Sequence, residues 1–223
     1  MIKKLIYLGA FILLSVNLLA QHGNEWIVYS QSYFKFPITK DGIYRLSYNE
    51  LSNAGVPLNS INTPKNFQIY GRGQQLPIYV HNENTGVFSS SDYIEFYAQR
   101  NDAWYDSALF KSPDHQANAS YSFFTDTAFY YFTWNNSVNN SRLIVNNDVN
   151  YSSYVASNYF MFDSRTYFNY YYIEGEKMLV SGSQTSDPEY VNGEGWYDSP
   201  IDLGTSRTRN VNTKNVYTAG PSA

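Results

Sequence analysis

The sequence contains no cysteine among its 223 residues. This absence excludes a cysteine nucleophile, a thiolate zinc site and a redox-active dithiol from this chain. It also excludes disulfide bonds as the source of stability. A chain of this length can bury an adequate core without them.

Charged residues are also scarce. They make up 15% of the sequence, and the formal net charge is −4. Lysine and arginine form no cluster, and an acidic chain without a basic patch binds nucleic acid poorly. We therefore expect no nucleic-acid partner.

The motifs of common catalytic sites are missing as well. His22, His81 and His115 do not stand at metal-ligand spacing from one another or from clustered carboxylates. The sequence has neither G-x-S-x-G nor a phosphate-binding glycine loop, and Gly71-Arg72-Gly73 predicts a simple turn. We therefore assign no catalytic, cofactor-binding or metal-binding residue.

Several carboxylates could in principle form the acid–base pair of a glycosidase, but their spacing does not single out a pair. We expect them to be solvated surface groups. The candidates are Asp92, Glu95, Asp102 and Asp106.

The polar loop Asn82–Asp92 is the one candidate calcium site. It departs from the EF-hand pattern, because Gly86 occupies a ligand position and no glutamate closes the loop. Turn chemistry explains the same residues. We expect no cofactor, and calcium is the alternative.

Residues 1–20 have the features of a secretory signal peptide. Lys3 and Lys4 precede the apolar run Leu5–Leu14, and Ala20 supplies a small residue at the cleavage position. The alternative, a membrane anchor, is disfavoured because a spanning helix needs about 20 apolar residues. No later stretch is apolar enough to span a bilayer, so we expect a secreted chain without a transmembrane segment.

Aromatic residues are abundant, with 23 Tyr, 14 Phe and 4 Trp. This composition favours strands and turns over helices. It predicts an all-β fold: an antiparallel β-sandwich or jelly-roll-like domain with one short helix, whose core is built from tyrosine and phenylalanine. We place this N-terminal β-domain at residues 21–150. Residues 151–223 would be a connecting stretch and the start of an incomplete second β-domain.

The most ordered local pattern lies at Phe36–Gly55. Asp41-Gly42 between two apolar runs predicts a β-hairpin. Ser47 and Glu50 form a capping box that begins a short helix, and Gly55 ends it.

Other apolar runs predict further strands. They are Trp26–Tyr29, Tyr33–Ile38, Phe67–Tyr70, Leu76–Val80, Tyr93–Ala98 and Phe129–Trp134, the last completed as a hairpin by Arg142–Val145. A strand also begins at Asn215–Thr218 without a partner, so we expect the chain to be the front portion of a longer protein.

Two pairs of aromatic residues, Trp104-Tyr105 and Trp196-Tyr197, could stack on sugars. Packing in the core of a β-sandwich explains them equally simply, and we favour core packing.

The order of several motifs resembles one known family. The segments are Trp26 with the aromatic strand that follows it, Thr39–Leu46, Leu51–Gly55, Phe67–Gly73, Asp92–Tyr97, Phe129–Trp134 and Asn192–Tyr197. They resemble the region before the protease domain in gingipain-like cysteine peptidases, above all in the sortases of the type IX secretion system. The resemblance covers about residues 26–200.

The resemblance implies a cysteine endopeptidase at the cell surface or outer membrane. Its sortase branch cleaves C-terminal sorting domains from exported cargo and attaches the cargo to surface polysaccharide. The family's catalytic His and Cys lie in a later domain, so no functional residue can be carried over to this chain.

The expected function is therefore that of a non-catalytic N-terminal region. It would support or cover a downstream protease domain in cis, with outer-membrane secretion components as further partners. The alternative is an independent secreted β-sandwich that binds glycans or adheres to surfaces.

Overall fold

The structure is a computed structural model that describes residues 23–160, 165–211 and 216–219. The predicted signal peptide lies outside the described residues. The strands are β1 (Phe34–Ile38), β2 (Gly42–Ser47), β3 (Phe67–Gly71), β4 (Gln74–Leu76), β5 (Tyr79–Val80), β6 (Tyr93–Ala98), β7 (Ala128–Trp134), β8 (Tyr171–Glu174), β9 (Lys177–Val180), β10 (Ser183–Ser186) and β11 (Glu194–Tyr197).

The helical segments are short. The α-helix of the described part of the chain is α1 (Tyr48–Asn53). Single 3₁₀ turns occupy Leu58–Ser60, Pro64–Asn66, Glu83–Thr85, Asp106–Leu109, Pro113–His115 and Tyr151–Ser153. None of the described helices is long and apolar enough to cross a membrane.

The chain divides into two compact units. The first contains the described residues up to Ala98 together with Phe129–Leu143, and the second contains Gln99–Ala128 and the residues from Ile144 onward. Each unit is therefore assembled from two separate stretches of sequence.

The first unit is an antiparallel β-sandwich, which confirms the predicted fold class. One sheet has the strand order β1-β7-β3-β4, and the other has the order β2-β6-β5. Phe36 of the first sheet meets Phe96 of the second, with ring centroids 5.7 Å apart. The largest fully buried side chains are Phe67, Phe96, Phe132, Ile38, Ile69, Ile78 and Ile94. Phenylalanine thus contributes to this core as the sequence predicted, but aliphatic side chains fill much of it and Tyr130 is the one buried tyrosine among the described residues.

The hairpin predicted at Asp41-Gly42 does not form. Strands β1 and β2 belong to different sheets, so the intervening residues carry the chain from one layer to the other. The prediction was wrong because β2 has a better partner in β6, with which it pairs over its whole length from Gly42↔Ala98 to Ser47↔Tyr93.

The capping box and the helix stop are confirmed. The Ser47 amide donates to Glu50 Oε2 at 2.7 Å, and the Glu50 amide donates to Ser47 Oγ at 3.3 Å. At the other end, the Gly55 and Val56 amides donate to the carbonyls of Ser52 and Leu51, each at 3.0 Å. These two bonds, with Gly55 at φ +83°, form a Schellman motif.

The turn at Gly71-Arg72-Gly73 is also confirmed. Arg72 and Gly73 have φ values of +51° and +77° and join β3 to β4 as a two-residue hairpin loop of type I′ character. Gly71 faces Tyr130 across the β3–β7 pair. A Cβ atom at Gly71 would lie 2.1 Å from Tyr130 Cε1, so the ring occupies the space that a side chain would need.

Two other predicted strands are rearranged. Residues 24–29 form turns instead of a strand, and Trp26 stacks on Tyr70 with ring centroids 5.1 Å apart. The run Leu76–Val80 is split between β4 and β5, which lie in different sheets. Pro77 stands at the break, because proline lacks the N–H that a continuous ladder would require.

The hairpin predicted between residues 129–134 and 142–145 is likewise absent. Strand β7 pairs with β3, while Arg142 forms a parallel bridge with Ile78. The Arg142 guanidinium explains this placement. It donates to Glu83 Oε1 at 2.5 Å and to the backbone carbonyls of Pro64, Lys65, Phe67 and Ser141 at 3.0–3.2 Å.

The second unit contains two two-stranded ribbons, β8–β11 and β9–β10. A small buried cluster includes Phe110 and Val191, and the Phe110 and Phe123 rings lie 5.5 Å apart. The Tyr172 hydroxyl donates to the buried Glu194 carboxylate. Two effects raise the pKa of Tyr172: burial is the larger, and the bond to Glu194 is the next.

Many aromatic side chains of the second unit are exposed, so the core of tyrosine and phenylalanine that the sequence predicted for residues 21–150 does not extend to them. They include Tyr105, Phe124, Tyr151, Tyr154, Tyr159, Phe160, Tyr170, Tyr171 and Tyr172. The strand predicted at Asn215–Thr218 begins outside the described residues, and Val216–Thr218 forms none.

Candidate functional site

The solvent-facing side of the β2-β6-β5 sheet carries an unusual set of side chains. Alternation along the strands sends Leu46, Ile94 and Phe96 toward the core and their neighbours outward. We call the outward set the outer face. It consists of Ile43, Arg45, Ser47, Tyr79, His81, Tyr93, Glu95 and Tyr97.

The register arranges the outer face in rows. Arg45, Glu95 and Tyr79 lie side by side across the three strands, and Ile43 pairs with Tyr97 in the next row. Arg45 donates to Glu95 Oε1 through Nη2 at 2.7 Å and through Nε at 3.0 Å. The pair therefore lies at the centre of the face.

Tyr93 is held on the outer face by cationic and aromatic contacts. Arg45 Cζ lies 3.9 Å from the centroid of the Tyr93 ring. The His81 ring stacks on Tyr93 with centroids 4.8 Å apart and an interplanar angle of 11°. Since β2 and β5 flank β6, these contacts come from opposite sides and leave the Tyr93 ring largely covered.

Tyr97 and Ile43, by contrast, are open to solvent. Tyr97 is 49% exposed and Ile43 is 67% exposed. Their cross-strand pairing makes a continuous apolar ledge beside the Arg45–Glu95 pair. The outer face thus combines an accessible ring, an aliphatic side chain and hydrogen-bonding groups.

A second cluster lies where the outer face meets the loop between β5 and β6. The Asp92 side chain is 2% exposed. It accepts hydrogen bonds from the Ser89 amide and hydroxyl at 2.7 Å each, from Asn82 Nδ2 at 2.8 Å and from His81 Nδ1 at 2.9 Å. The carboxylate therefore joins the start of the loop, at His81 and Asn82, to its end at Ser89.

The electrostatics of Asp92 follow from these bonds. Burial disfavours the charged carboxylate, but the bonds from Ser89, His81 and Asn82 outweigh burial and lower its pKa to about 2. Because both carboxylate oxygens already bind protein donors, the loop geometry favours the turn interpretation of Asn82–Asp92. No group of three or more His, Cys, Asp or Glu side chains suited to a metal occurs among the described residues. The absence of a cofactor stays a prediction, with calcium as its alternative.

The other carboxylates singled out from the sequence are dispersed. Glu95 pairs with Arg45, and Asp102 accepts a bond from the Trp104 amide at 3.3 Å. Asp106 is buried and accepts a bond from the Phe123 amide at 3.1 Å. The expectation of solvated carboxylates was therefore wrong for Asp92 and Asp106, which satisfy backbone or loop donors instead.

The remaining candidates have varied surroundings. His115 is half-buried, whereas His22 lies outside the described residues. Trp104 and Tyr105 are 47% and 60% exposed, so the core packing predicted for them was wrong. Trp196 lies on the β8–β11 ribbon, with its ring 5.4 Å from that of Tyr172, and it is 39% exposed, so the core packing predicted for it was wrong as well.

The ribbons also expose apolar side chains. Every residue of β8, β9 and β10 is exposed, and Leu179 reaches 72%. Isolated two-stranded ribbons are marginally stable in water. They gain stability when another surface covers their apolar side chains.

Sequence reasoning did not identify the outer face. Its signal was present in the alternation of Tyr93, Glu95 and Tyr97 with buried Ile94 and Phe96. What the sequence lacked was the neighbouring strand, because Arg45 and Glu95 are 50 positions apart.

Comparisons with known proteins return no relative. No protein-family model matches the chain, and no curated protein or solved structure matches it either.

Proposed function

We propose that this chain is the non-catalytic β-region of a secreted, surface-associated gingipain-like cysteine peptidase of the type IX sortase kind. In this role it supports or covers a protease domain in cis, and outer-membrane secretion components are further partners. The observation that carries the proposal is the position of the motifs behind the resemblance. Most of them fall on elements of the first unit, including β2, β3, β6 and β7, which contribute to both sheets of one sandwich, while Asn192–Tyr197 falls on β11 of the second unit.

The polar interactions of the first unit support a scaffold role. Asp92 closes a loop, and Arg142 joins Glu83 to several backbone carbonyls. Such pairings stabilise a fold and leave these groups engaged with protein partners rather than with a substrate.

The β9–β10 ribbon supports the need for a partner. Met178, Leu179 and Val180 are exposed in a ribbon of two strands. A protein surface that covers them would stabilise the ribbon, and the protease domain of the resembled family is the partner that we propose.

The test begins with the reading frame beyond codon 223. If that frame encodes a protease domain, the domain is expressed and its thermal midpoint is measured with and without this chain. We expect the chain to bind the domain and raise its midpoint, and to hydrolyse no peptide substrate by itself. A frame without such a domain, or hydrolysis sensitive to thiol inhibitors by the purified chain, would contradict the proposal.

A matched pair of variants locates the contact. Leu179→Asp places a charge on the exposed apolar position of the ribbon, while Val155→Asp places the same charge on an exposed apolar position outside the ribbon. We expect binding to weaken strongly in the first variant and little in the second, because only Leu179 lies on the proposed contact and loses apolar area there. Equal effects would contradict a contact through Leu179.

A further inference from the structure

We propose that the outer face is a binding site for a neutral polysaccharide. This inference goes beyond the scaffold role and does not depend on it, because it rests on side chains of the first unit alone. It also assigns a glycan site to residues that the sequence did not suggest, in place of Trp104-Tyr105 or Trp196-Tyr197.

The accessible ring is the first part of the argument. Tyr97 is half exposed and forms a ledge with Ile43 across the strand pair. One face of a pyranose ring presents C–H groups, which pack against an aromatic ring, while its hydroxyl groups point outward around the rim. The ledge matches the apolar face of such a sugar.

Hydrogen-bonding groups lie beside the ledge. Arg45 and Glu95 occupy the next row of the sheet, about 7 Å from Tyr97 along the strand. Arg45 is 57% exposed, and both of its bonds go to Glu95 Oε1. The second carboxylate oxygen therefore faces no donor among the described residues and can accept a bond from a sugar hydroxyl.

The charge of the outer face selects a neutral ligand. Arg45 and Glu95 neutralise each other, and the remaining outward side chains are apolar, aromatic or uncharged, apart from His81, whose Nδ1 is bonded to Asp92. An acidic polymer would need a surplus of cations, and a basic partner would need a surplus of carboxylates. A neutral polymer needs neither.

The shape of the face favours a chain over a small molecule. Tyr79 and Tyr97 are diagonal neighbours across β5 and β6, and such neighbours have Cα atoms about 7–8 Å apart. Both lie on one side of an open sheet, so consecutive sugar units can lie along the diagonal between them. Each sugar residue contributes a modest contact, and the repetition of such contacts along the polymer supplies the affinity.

Affinity electrophoresis of the chain tests this inference. Hydroxyethylcellulose, xylan, mannan and dextran are included separately in native gels, and carboxymethylcellulose serves as the acidic comparison. We expect retardation by at least one neutral polymer and weaker retardation by the acidic one. Failure of all four neutral polymers to retard the chain would overturn the inference.

Variants then locate the site. Tyr97→Ala should raise the dissociation constant about tenfold, while Tyr97→Phe should keep most of the affinity because the ring remains. Tyr29→Ala, at an 84% exposed tyrosine outside the outer face, is the matched control and should bind like the unchanged chain. Circular dichroism establishes that each variant is folded.

Two results would redirect the assignment and thereby overturn it. Binding that is lost in Tyr105→Ala and kept in Tyr97→Ala would place the glycan site in the second unit. A self-association that Tyr97→Ala abolishes, without any polysaccharide binding, would make the outer face a contact between copies of the chain. Neither result bears on the protease domain, so failure here is distinguishable from failure of the scaffold proposal.

Discussion

Replacing Asp92 by asparagine should remove a defined, pH-dependent part of the stability. The substitution keeps the shape of the side chain but removes its charge. In the folded protein, hydrogen bonds from Ser89, His81 and Asn82 outweigh burial and lower the pKa of Asp92 from 3.8 to about 2. A depression of this size corresponds to about 2 kcal/mol in the free energy of unfolding.

The sign of the pH dependence follows from that depression. The folded pKa lies below the unfolded one, so the stabilisation is fully present above about pH 5 and is lost as the pH falls toward 2. Asp92→Asn lacks this stabilisation at every pH. The two proteins should therefore differ by about 2–3 kcal/mol at pH 7, and the difference should shrink as the pH approaches 2.

Urea denaturation at pH 7, 4 and 2.5, followed by circular dichroism, measures this difference. Asp114→Asn, at an exposed aspartate, is the control and should change the free energy of unfolding little at any of these values. A difference that stays constant from pH 7 to 2.5 would refute the reasoning. So would a carboxyl pKa of Asp92 near 3.8 by NMR.

Three further substitutions test the packing of the first unit by thermal denaturation. Arg142→Lys keeps the positive charge near Glu83, but a lysine cannot donate to Glu83 and to the four backbone carbonyls together. It should lower the free energy of unfolding by about 2 kcal/mol; an unchanged midpoint would contradict this role. Gly71→Ala forces its new methyl group against the buried Tyr130 ring and should cost about 2–3 kcal/mol; an unchanged midpoint would contradict this packing. Ser47→Ala removes the helix cap and should cost about 1 kcal/mol, whereas Ser47→Asp should restore most of it.

The features that the sequence predicted correctly depend on neighbouring residues. The capping box joins Ser47 to Glu50, three positions away, and the turn at Arg72-Gly73 depends on two residues that accept positive φ. Local steric and hydrogen-bonding rules decide such features, so a short stretch of sequence is sufficient to predict them.

The features that the sequence mispredicted depend on partners far along the chain. The strand that follows Asp41 could pair with β1 or with β6, and alternation alone fits both choices. Pairing with β6 lets β1 and β2 bury their apolar sides in the same core from opposite sheets. The cost of closing the intervening loop rises slowly with length, so the nearest strand in sequence has little advantage.

The candidate sites show the same limit. Ser89 and Asp92 are close in sequence, and their short-range bonds are typical turn chemistry. His81 joins them only because β5 and β6 are adjacent and bring the two ends of the loop together. The burial of Asp92, and hence its lowered pKa, therefore depends on the sheet.

Aromatic composition predicted strands but could not predict which rings would be buried. In the first unit, seven strands in two layers enclose rings such as Phe96 and Phe132. In the second unit, paired ribbons of two strands leave Tyr171 and Leu179 exposed. A ring is buried when a second layer lies over its strand, and that is a property of sheet number and stacking rather than of the residue. The exposed rings of the outer face and of the ribbons have no second layer over them, and they are therefore the surfaces at which we propose that a ligand or partner binds.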